Sequence, residues 1–268
     1  MSDEGKLSPA ARWAELAALT PARIALGRSG ASLPTREVLR FGLAHARARD
    51  AVHEPFRPDE IAAALAAASL DTIMVESGAR LRGDYLRRPD LGRGLTPESR
   101  ATLASRDGAC DLAIIVADGL SATAVHQHAV PLITALLPHL QHQRRTLGPV
   151  VIASQARVAL GDEAAHALGA RMALVLIGER PGLSSPDSLG AYLTFAPRPG
   201  LTDAARNCIS NIRPGGLSFA AAAFKLAWLI DQGFARSLTG IDLKDESDAA
   251  LATQAEAQAL SGPSSSSE

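Results

Sequence analysis

Aromatic side chains are scarce: two tryptophans, two tyrosines and six phenylalanines make up 4% of the 268 residues. Hydrophobic residues still reach 47%, so a core has to be built mostly from alanine, leucine, valine and isoleucine. Cysteine is scarcer still. Cys110 and Cys208 stand alone, which excludes a disulfide framework and fits a reducing compartment. No cysteine or histidine cluster has zinc spacing. Charge of one sign is also missing: the net charge is -1, giving no field that would make nucleic acid or an anionic membrane the main partner. No apolar run approaches the ~20 residues that span a bilayer, and Met1 to Leu7 lacks an apolar signal core. A soluble, intracellular protein without nucleic-acid or membrane partners is expected.

Three catalytic signatures are absent as well. No GxGxxG follows a strand and no GxxxxGK[ST] occurs, which disfavours a nicotinamide or nucleotide enzyme. No GxSxG elbow occurs, which disfavours an α/β-hydrolase.

The most informative stretch is residues 171–182. An unbroken apolar run, Met172 to Ile177, ends in Gly178-Glu179-Arg180-Pro181-Gly182. A short run that is apolar on both faces and bounded by turn residues reads as a strand buried in a parallel sheet. Asp111–Ala117 and Val150–Ala153 read the same way, with Tyr192–Ala196 and Cys208–Ile212 as further strands and Asp71–Glu76 as a short one. Helices are expected from Ser8-Pro9 through Leu16, from Pro34 to His53, from Pro58 to Leu70 and from Thr96 to before Gly108. Others run from Ser121 to His142, from Gly161 to Gly169, and from Ser218 to Gln232 with Gly233 as the stop. Tyr85–Leu95 reads as an arginine-rich loop. The alternation of strands and helices indicates an α/β protein with parallel βαβ units. Residues 1–8 and the Ser-rich end are expected to be disordered.

In a parallel sheet the turns after each strand gather at one edge, where ligands bind. They are Asp118–Ser121, Ser154–Val158, Gly178–Gly182 and Asn211–Gly216. Ordinary turn chemistry accounts for any one of them. Four glycine- and polar-rich turns on one edge point to a bulky ligand that the backbone approaches closely. Cys208 has no histidine in a fixed relation to it and reads as a buried or ligand-lining thiol, not a nucleophile.

Several blocks taken together resemble a known family. They are Leu39-Arg40-Phe41, Ala46-Arg47-Ala48-Arg49-Asp50, Tyr85 to Arg93, Asp118-Gly119-Leu120-Ser121, Gly178 to Leu183 and Cys208-Ile209-Ser210-Asn211-Ile212. In this order they are similar to the small (light) chain of ethanolamine ammonia-lyase. The resemblance implies an adenosylcobalamin-dependent lyase that converts ethanolamine to acetaldehyde and ammonia by a radical mechanism. It implies a hetero-oligomer in which the large subunit holds the substrate and this chain helps bind cobalamin. It also implies a Rossmann-like cobalamin-covering domain over residues 109–243, preceded by a smaller, mostly helical N-terminal region, 1–108, that docks on the large subunit. Residues 244–268 form an acidic, low-complexity tail. Carried over by position, the family's cofactor-binding residues fall at Val158, Glu179 and Cys208, with no catalytic or metal-binding residue in this chain. The DxHxxG motif by which many cobalamin domains replace the cofactor's own base is absent, as this family's retention of that base implies. A cytoplasmic location is expected, with a bacterial microcompartment as the other location the family allows. Alternatives are a stand-alone Rossmann-like enzyme using a nucleotide, or a non-enzymatic binding module.

Overall fold

The computed structural model describes residues 9–251 other than 21 and 107. The disorder expected for residues 1–8 falls outside the described residues, as does that expected for the tail 244–268 beyond residue 251; within 244–251, Ser247 is buried and accepts from Lys225 Nζ at 3.0 Å. Three helices lead the chain: α1 (Pro9–Ala18), α2 (Thr35–His53) and α3 (Pro58–Ala67). Strand β1 (Thr72–Glu76), the short helix α4 (Arg82–Arg87), a 3₁₀ turn at Leu91–Arg93 and α5 (Pro97–Ala104) follow. Then come β2 (Leu112–Ala117), α6 (Ala122–His142), β3 (Val150–Ser154), α7 (Val158–Ala167), β4 (Met172–Gly178), β5 (Leu189–Phe195), β6 (Arg206–Ile212) and α8 (Phe219–Arg236).

The strands form one six-stranded sheet in the order β1-β3-β2-β4-β5-β6. Residues 72–76, placed by sequence in the N-terminal region, pair in register with β3 and so belong to this sheet. Its inner strands β2, β3 and β4 carry almost continuous apolar runs because helices cover both faces, whereas the edge strands β1 and β6 are buried only at intervals. Alternation then sorts the side chains. Leu112, Ile114, Val116, Leu174 and Leu176 face a cluster with α3, α6 and α8. Ala113, Ile115, Ala117, Ala173 and Val175 face a second cluster with residues of α5 and α7. Tyr85 is the largest fully buried side chain, and apart from Phe234, Met172 and Cys110 the rest of the buried core is aliphatic.

The sheet is mixed, and the all-parallel expectation is corrected. β1, β3, β2 and β4 are parallel, whereas β5 runs antiparallel to β4 and β6 antiparallel to β5. The physical reason is connection length. A parallel return needs a crossover of roughly a dozen residues or more, usually a helix. Residues 179–188 and 196–205 are too short for one, so the chain turns straight back.

Two helix boundaries also differ from the sequence reading. α7 begins at Val158, not at Gly161. Gly161 sits inside the helix, where a Cβ would lie 2.2 Å from Val175 Cγ2, so the glycine lets the helix lie close on β4. α8 likewise runs past Gly233, where a Cβ would lie 2.8 Å from Met172 Cε, and ends at Ser237 in the left-handed conformation. Both glycines are packing residues, not signals to start or stop. Gly169 does stop α7, at φ +66°, with Ala170 N–H donating to Ala165 O at 2.9 Å. Part of the arginine-rich stretch read as a loop is α4 and the 3₁₀ turn.

Candidate functional site

Because β6 is antiparallel to β5, and β5 to β4, β6 points the same way as the four parallel strands. All four polar turns therefore still meet at one edge despite the mixed sheet. The turns after β2 and β4 interlock there. Gly119 has φ +57°, and a Cβ on it would lie 2.2 Å from Gly178 O. A Cβ on Gly178 would lie 2.1 Å from Ser121 O. Ser121 caps α6, accepting from Ala124 N–H at 3.2 Å, and its hydroxyl donates to Pro186 O at 2.9 Å.

Under these turns lies a buried charged group. Asp118 is 1% exposed, and its Oδ1 accepts from the Gly119 and Ala156 N–H groups, each at 3.0 Å. Burial pushes its carboxyl up to about 6, against the pull of those donors and of Arg82. Arg82 Nη1 donates to Gly119 O at 2.8 Å and lies 3.4 Å from Asp118 Oδ2. Its Nε donates to Val52 O at 2.8 Å, tying the end of α2 to the edge. The ring of Tyr85 lies between two guanidinium groups, Arg82 at 4.8 Å and Arg157 at 4.2 Å from its centroid. Its hydroxyl donates to Ala156 O at 3.2 Å, and burial raises it above the ordinary tyrosine range. Two nitrogens of the group, Arg82 Nη2 and Arg157 Nε, are buried without a hydrogen-bond partner.

Glu179 begins the turn after β4. The Ser188 hydroxyl donates to its Oε2, the Ser210 hydroxyl to its Oε1 at 2.5 Å, and the Asn211 N–H to Oε2 at 3.2 Å. Three donors from the start of β5 and from β6 hold this carboxylate in one place. Asn211 adopts a left-handed φ of +59°, and Gly216 packs against it so closely that a Cβ would lie 2.3 Å from Asn211 O.

An open cavity of 410 Å³ lies over this edge. Val158, on the first turn of α7, and Glu179 both line it, together with Gly119, Arg157, Tyr192 and Ser210. Cys208 does not line it. It sits exposed on β6, directly across from Tyr192 of β5. Desolvation by surrounding protein raises the thiol above its ordinary range, with the Glu179 and Asp203 charges adding to the rise. A raised, protonated thiol is a poor nucleophile.

The three positions expected from sequence are therefore gathered at one edge, two on a common wall and one behind it through Tyr192. Sequence reading missed Arg82, Tyr85, Arg157 and Tyr192 as site residues. Tyr192 lies in the expected strand at the position that pairs with Cys208, so its signal was register. Arg157 lies in the expected edge turn Ser154–Val158, whereas Arg82 carries no local signal, because it reaches the edge from a segment that only the fold brings near. Among the described residues, no group of three or more His, Cys, Asp or Glu side chains could hold a metal ion. None of the described helices is long and apolar enough to cross a membrane.

Comparison with known proteins places this architecture. Residues 10–244 match the family described as ethanolamine ammonia-lyase light chain. An ethanolamine ammonia-lyase small subunit of Azotobacter vinelandii is 56% identical over 256 residues, covering 93% of this chain and 94% of that one. One from Bradyrhizobium diazoefficiens is 60% identical over 237 residues, covering 87% and 90%. One from Ralstonia nicotianae is 52% identical over 259 residues, covering 94% and 96%. The match spans all six strands and the residues that line the cavity at their edge, and this chain belongs to the ethanolamine ammonia-lyase light-chain family.

Proposed function

We propose that this chain works as the cofactor-covering subunit of an adenosylcobalamin-dependent ethanolamine ammonia-lyase. A large subunit would hold the substrate. The supporting observation is the fixed Glu179 carboxylate on the wall of the 410 Å³ cavity. A corrinoid is an apolar macrocycle fringed with amide side chains. It needs acceptors and donors at set positions around an apolar surface. This cavity supplies Glu179 as an acceptor, the Ser210 and Tyr192 hydroxyls, and the Val158, Leu120 and Ile177 side chains. The donor set suits amides and contains no soft or imidazole ligand that would compete for cobalt. The cavity is also open, and at this volume it takes one edge of such a cofactor and leaves the remainder to a partner.

When bound, adenosylcobalamin supplies the radical chemistry, and the protein supplies binding and orientation. In this reading Glu179 accepts hydrogen bonds from amide N–H groups. Val158 and Ile177 exclude water from the ring edge. The interlocked Gly119 and Gly178 turns let the backbone approach closely. Asp118 and Arg82 are positioning residues that hold those turns from below. The sheet domain, with β1 added to the expected residues 109–243, does the covering. Helix α2, with Val38, Leu39, Phe41 and Leu43 exposed among arginines, docks on the large subunit. A microcompartment or the open cytoplasm would both suit such a complex.

The test is ammonia release from ethanolamine with adenosylcobalamin, using this chain alone, the large subunit alone and the two co-expressed. Activity only in the co-expressed sample is expected. Full activity of the large subunit alone would overturn the reading.

A further inference from the structure

Helix α2 meets the rest of the chain at its carboxyl end. It buries one residue, Ala51, which lies in its last turn. Next to it, Val52 O accepts from Arg82 Nε at 2.8 Å. The connector to α3 then crosses α6, and there Phe56 and Arg57 close on His126, which is half-buried. The Phe56 ring stacks on the imidazole, 5.6 Å between centroids and 10° from parallel. The Arg57 backbone N–H donates to His126 Nε2 at 3.0 Å, and Arg57 Nη2 lies 3.2 Å from Nδ1. His126 does not line the cavity over the sheet edge.

The number of protons on the ring decides whether this contact can exist. A backbone N–H only donates, so Nε2 must be unprotonated to accept from it. The neutral ring then carries its proton on Nδ1, against the guanidinium, and the Arg57 side chain gains no bond from it. That side chain is held instead by Glu54 Oε1, which accepts from Nη1 at 2.6 Å, and by Glu60 Oε2, which accepts from Nε at 3.0 Å. An imidazolium is a donor at both nitrogens. It would set donor against donor at Nε2 and again at Nδ1, and would put a positive charge beside a guanidinium. The neutral ring fits the contact and the charged ring does not. The charges acting on the ring are Arg57 and Glu54 of the connector and Glu60 of α3. One turn away along α6 stand Ala122, Thr123, Ala129 and Val130, all uncharged. Burial first, and then Arg57, hold the imidazole below its ordinary 6.5, against the pull of the two glutamates.

We infer that His126 is a proton-operated clasp: when neutral it pins the α2–α3 connector to α6, and when protonated it releases the connector and frees the end of α2. The closed contact binds a proton less readily than the open one. The clasp is therefore shut above the ordinary imidazole value of 6.5 and opens as pH falls below it. Because α2 carries the exposed stripe assigned to the large subunit, opening the clasp makes subunit association acid-sensitive. This consequence for assembly rests on the proposed function; the clasp itself does not.

The experiment follows the His126 ring and the Arg57 amide of the full chain by NMR from about pH 8 to about pH 5, a range that stays above the ordinary glutamate value of about 4.3. Association of the two subunits is read over the same range by sedimentation. In the wild type the Arg57 amide signal should move with the same midpoint as the ring, and its exchange with water should quicken about tenfold. Subunit association should weaken about tenfold in step. Two variants bracket the clasp. His126→Gln puts a side-chain carbonyl in place of Nε2 that does not titrate, so amide and association should hold their neutral-pH values throughout. His126→Phe keeps the stack on Phe56 and removes the acceptor, so it should behave at every pH like the acidified wild type. An Arg57 amide that stays still while the ring titrates, or that moves equally in His126→Gln, overturns the clasp. An amide that follows the ring while association falls alike in wild type and His126→Gln overturns the link to docking. Subunits that associate at no pH overturn the proposed function, and the Arg57 amide still decides the clasp.

Discussion

Helices α2 and α6 are nearly equal in length, 19 and 21 residues, and differ in what this chain does with them. α6 buries nine residues, with Val125, Ala129, Leu132, Leu136 and Leu140 forming a stripe against the sheet and α8. α2 buries one, Ala51, and leaves Val38, Leu39, Phe41 and Leu43 about half exposed or more. Both sequences carry apolar residues at helical spacing. Periodicity states that a face needs cover, and only the fold states whether the same chain provides it. Two carboxylates repeat the contrast at the sheet edge: Asp118 is sealed beneath the turns, and Glu179 stands on the rim with its donors arranged around it. The interior satisfies itself, and the outward-facing groups are arranged for something else.

The widest gap between the two should appear in stability. Leu136→Ala removes a side chain that is 0% exposed, and unfolding by denaturant should show a loss of about 2–5 kcal/mol. A loss below about 1 kcal/mol would mean that α6 repacks freely and that the contrast with α2 is overstated.

Asp118 tests the interior through pH. Its folded value of about 6 lies above the ordinary 3.8. Below pH 3.8 both states are protonated and its contribution to stability is fully present. As pH rises toward 6 the unfolded chain releases this proton first, so stability is lost across that window, by about 3 kcal/mol. Asp118→Asn has no such group. The unfolding free energy of wild type minus that of Asp118→Asn should therefore fall between pH 3.8 and pH 6. A flat difference would mean that Arg82 and the two N–H groups hold the carboxylate ionised throughout.

Glu179 should behave in the opposite way. Of its donors, the Ser210 hydroxyl and the Asn211 N–H are exposed, where water can replace the carboxylate, and only the Ser188 hydroxyl is buried. Glu179→Ala should leave unfolding within about 1 kcal/mol of wild type. In the assembled enzyme it should weaken hydroxocobalamin binding about tenfold. Unmoved affinity would remove Glu179 from the site.

The same inside-and-outside distinction marks what could be read from sequence. β2, β3 and β4 were legible because buried strands advertise themselves as apolar runs between turn residues; β1 and β6, at the sheet's edges, gave a weaker, interrupted pattern. The common edge was legible because glycine and polar residues followed each run. Strand direction was not, since antiparallel β5 and β6 differ from the other strands only in the length of the connections that precede them. Gly161 and Gly233 were misread because a glycine that lets a helix approach a sheet looks locally like one that ends a helix. Val158 and Glu179 were placed by resemblance and fell on one wall. The charged layer beneath them was only partly legible: Asp118 and Arg157 fall in turns expected at the common edge, whereas Arg82 lies in a separate segment that only the fold brings there.

The smallest expected change in stability is the sharpest test of the outward side. Leu39 is 68% exposed, so Leu39→Ala removes little buried surface and should shift unfolding of this chain by no more than about 0.5 kcal/mol. A surface leucine with no further role would then have no other effect. In the proposed complex the side chain lies under the large subunit, one helical turn from Leu43 and beside Arg40, and truncating it should weaken subunit association about tenfold. Sedimentation of the two subunits at falling concentration reads that number directly. Association unchanged by Leu39→Ala and by Leu43→Ala would mean that the α2 stripe is incidental. The contrast between the two helices would then reflect only how much apolar surface this fold tolerates in water.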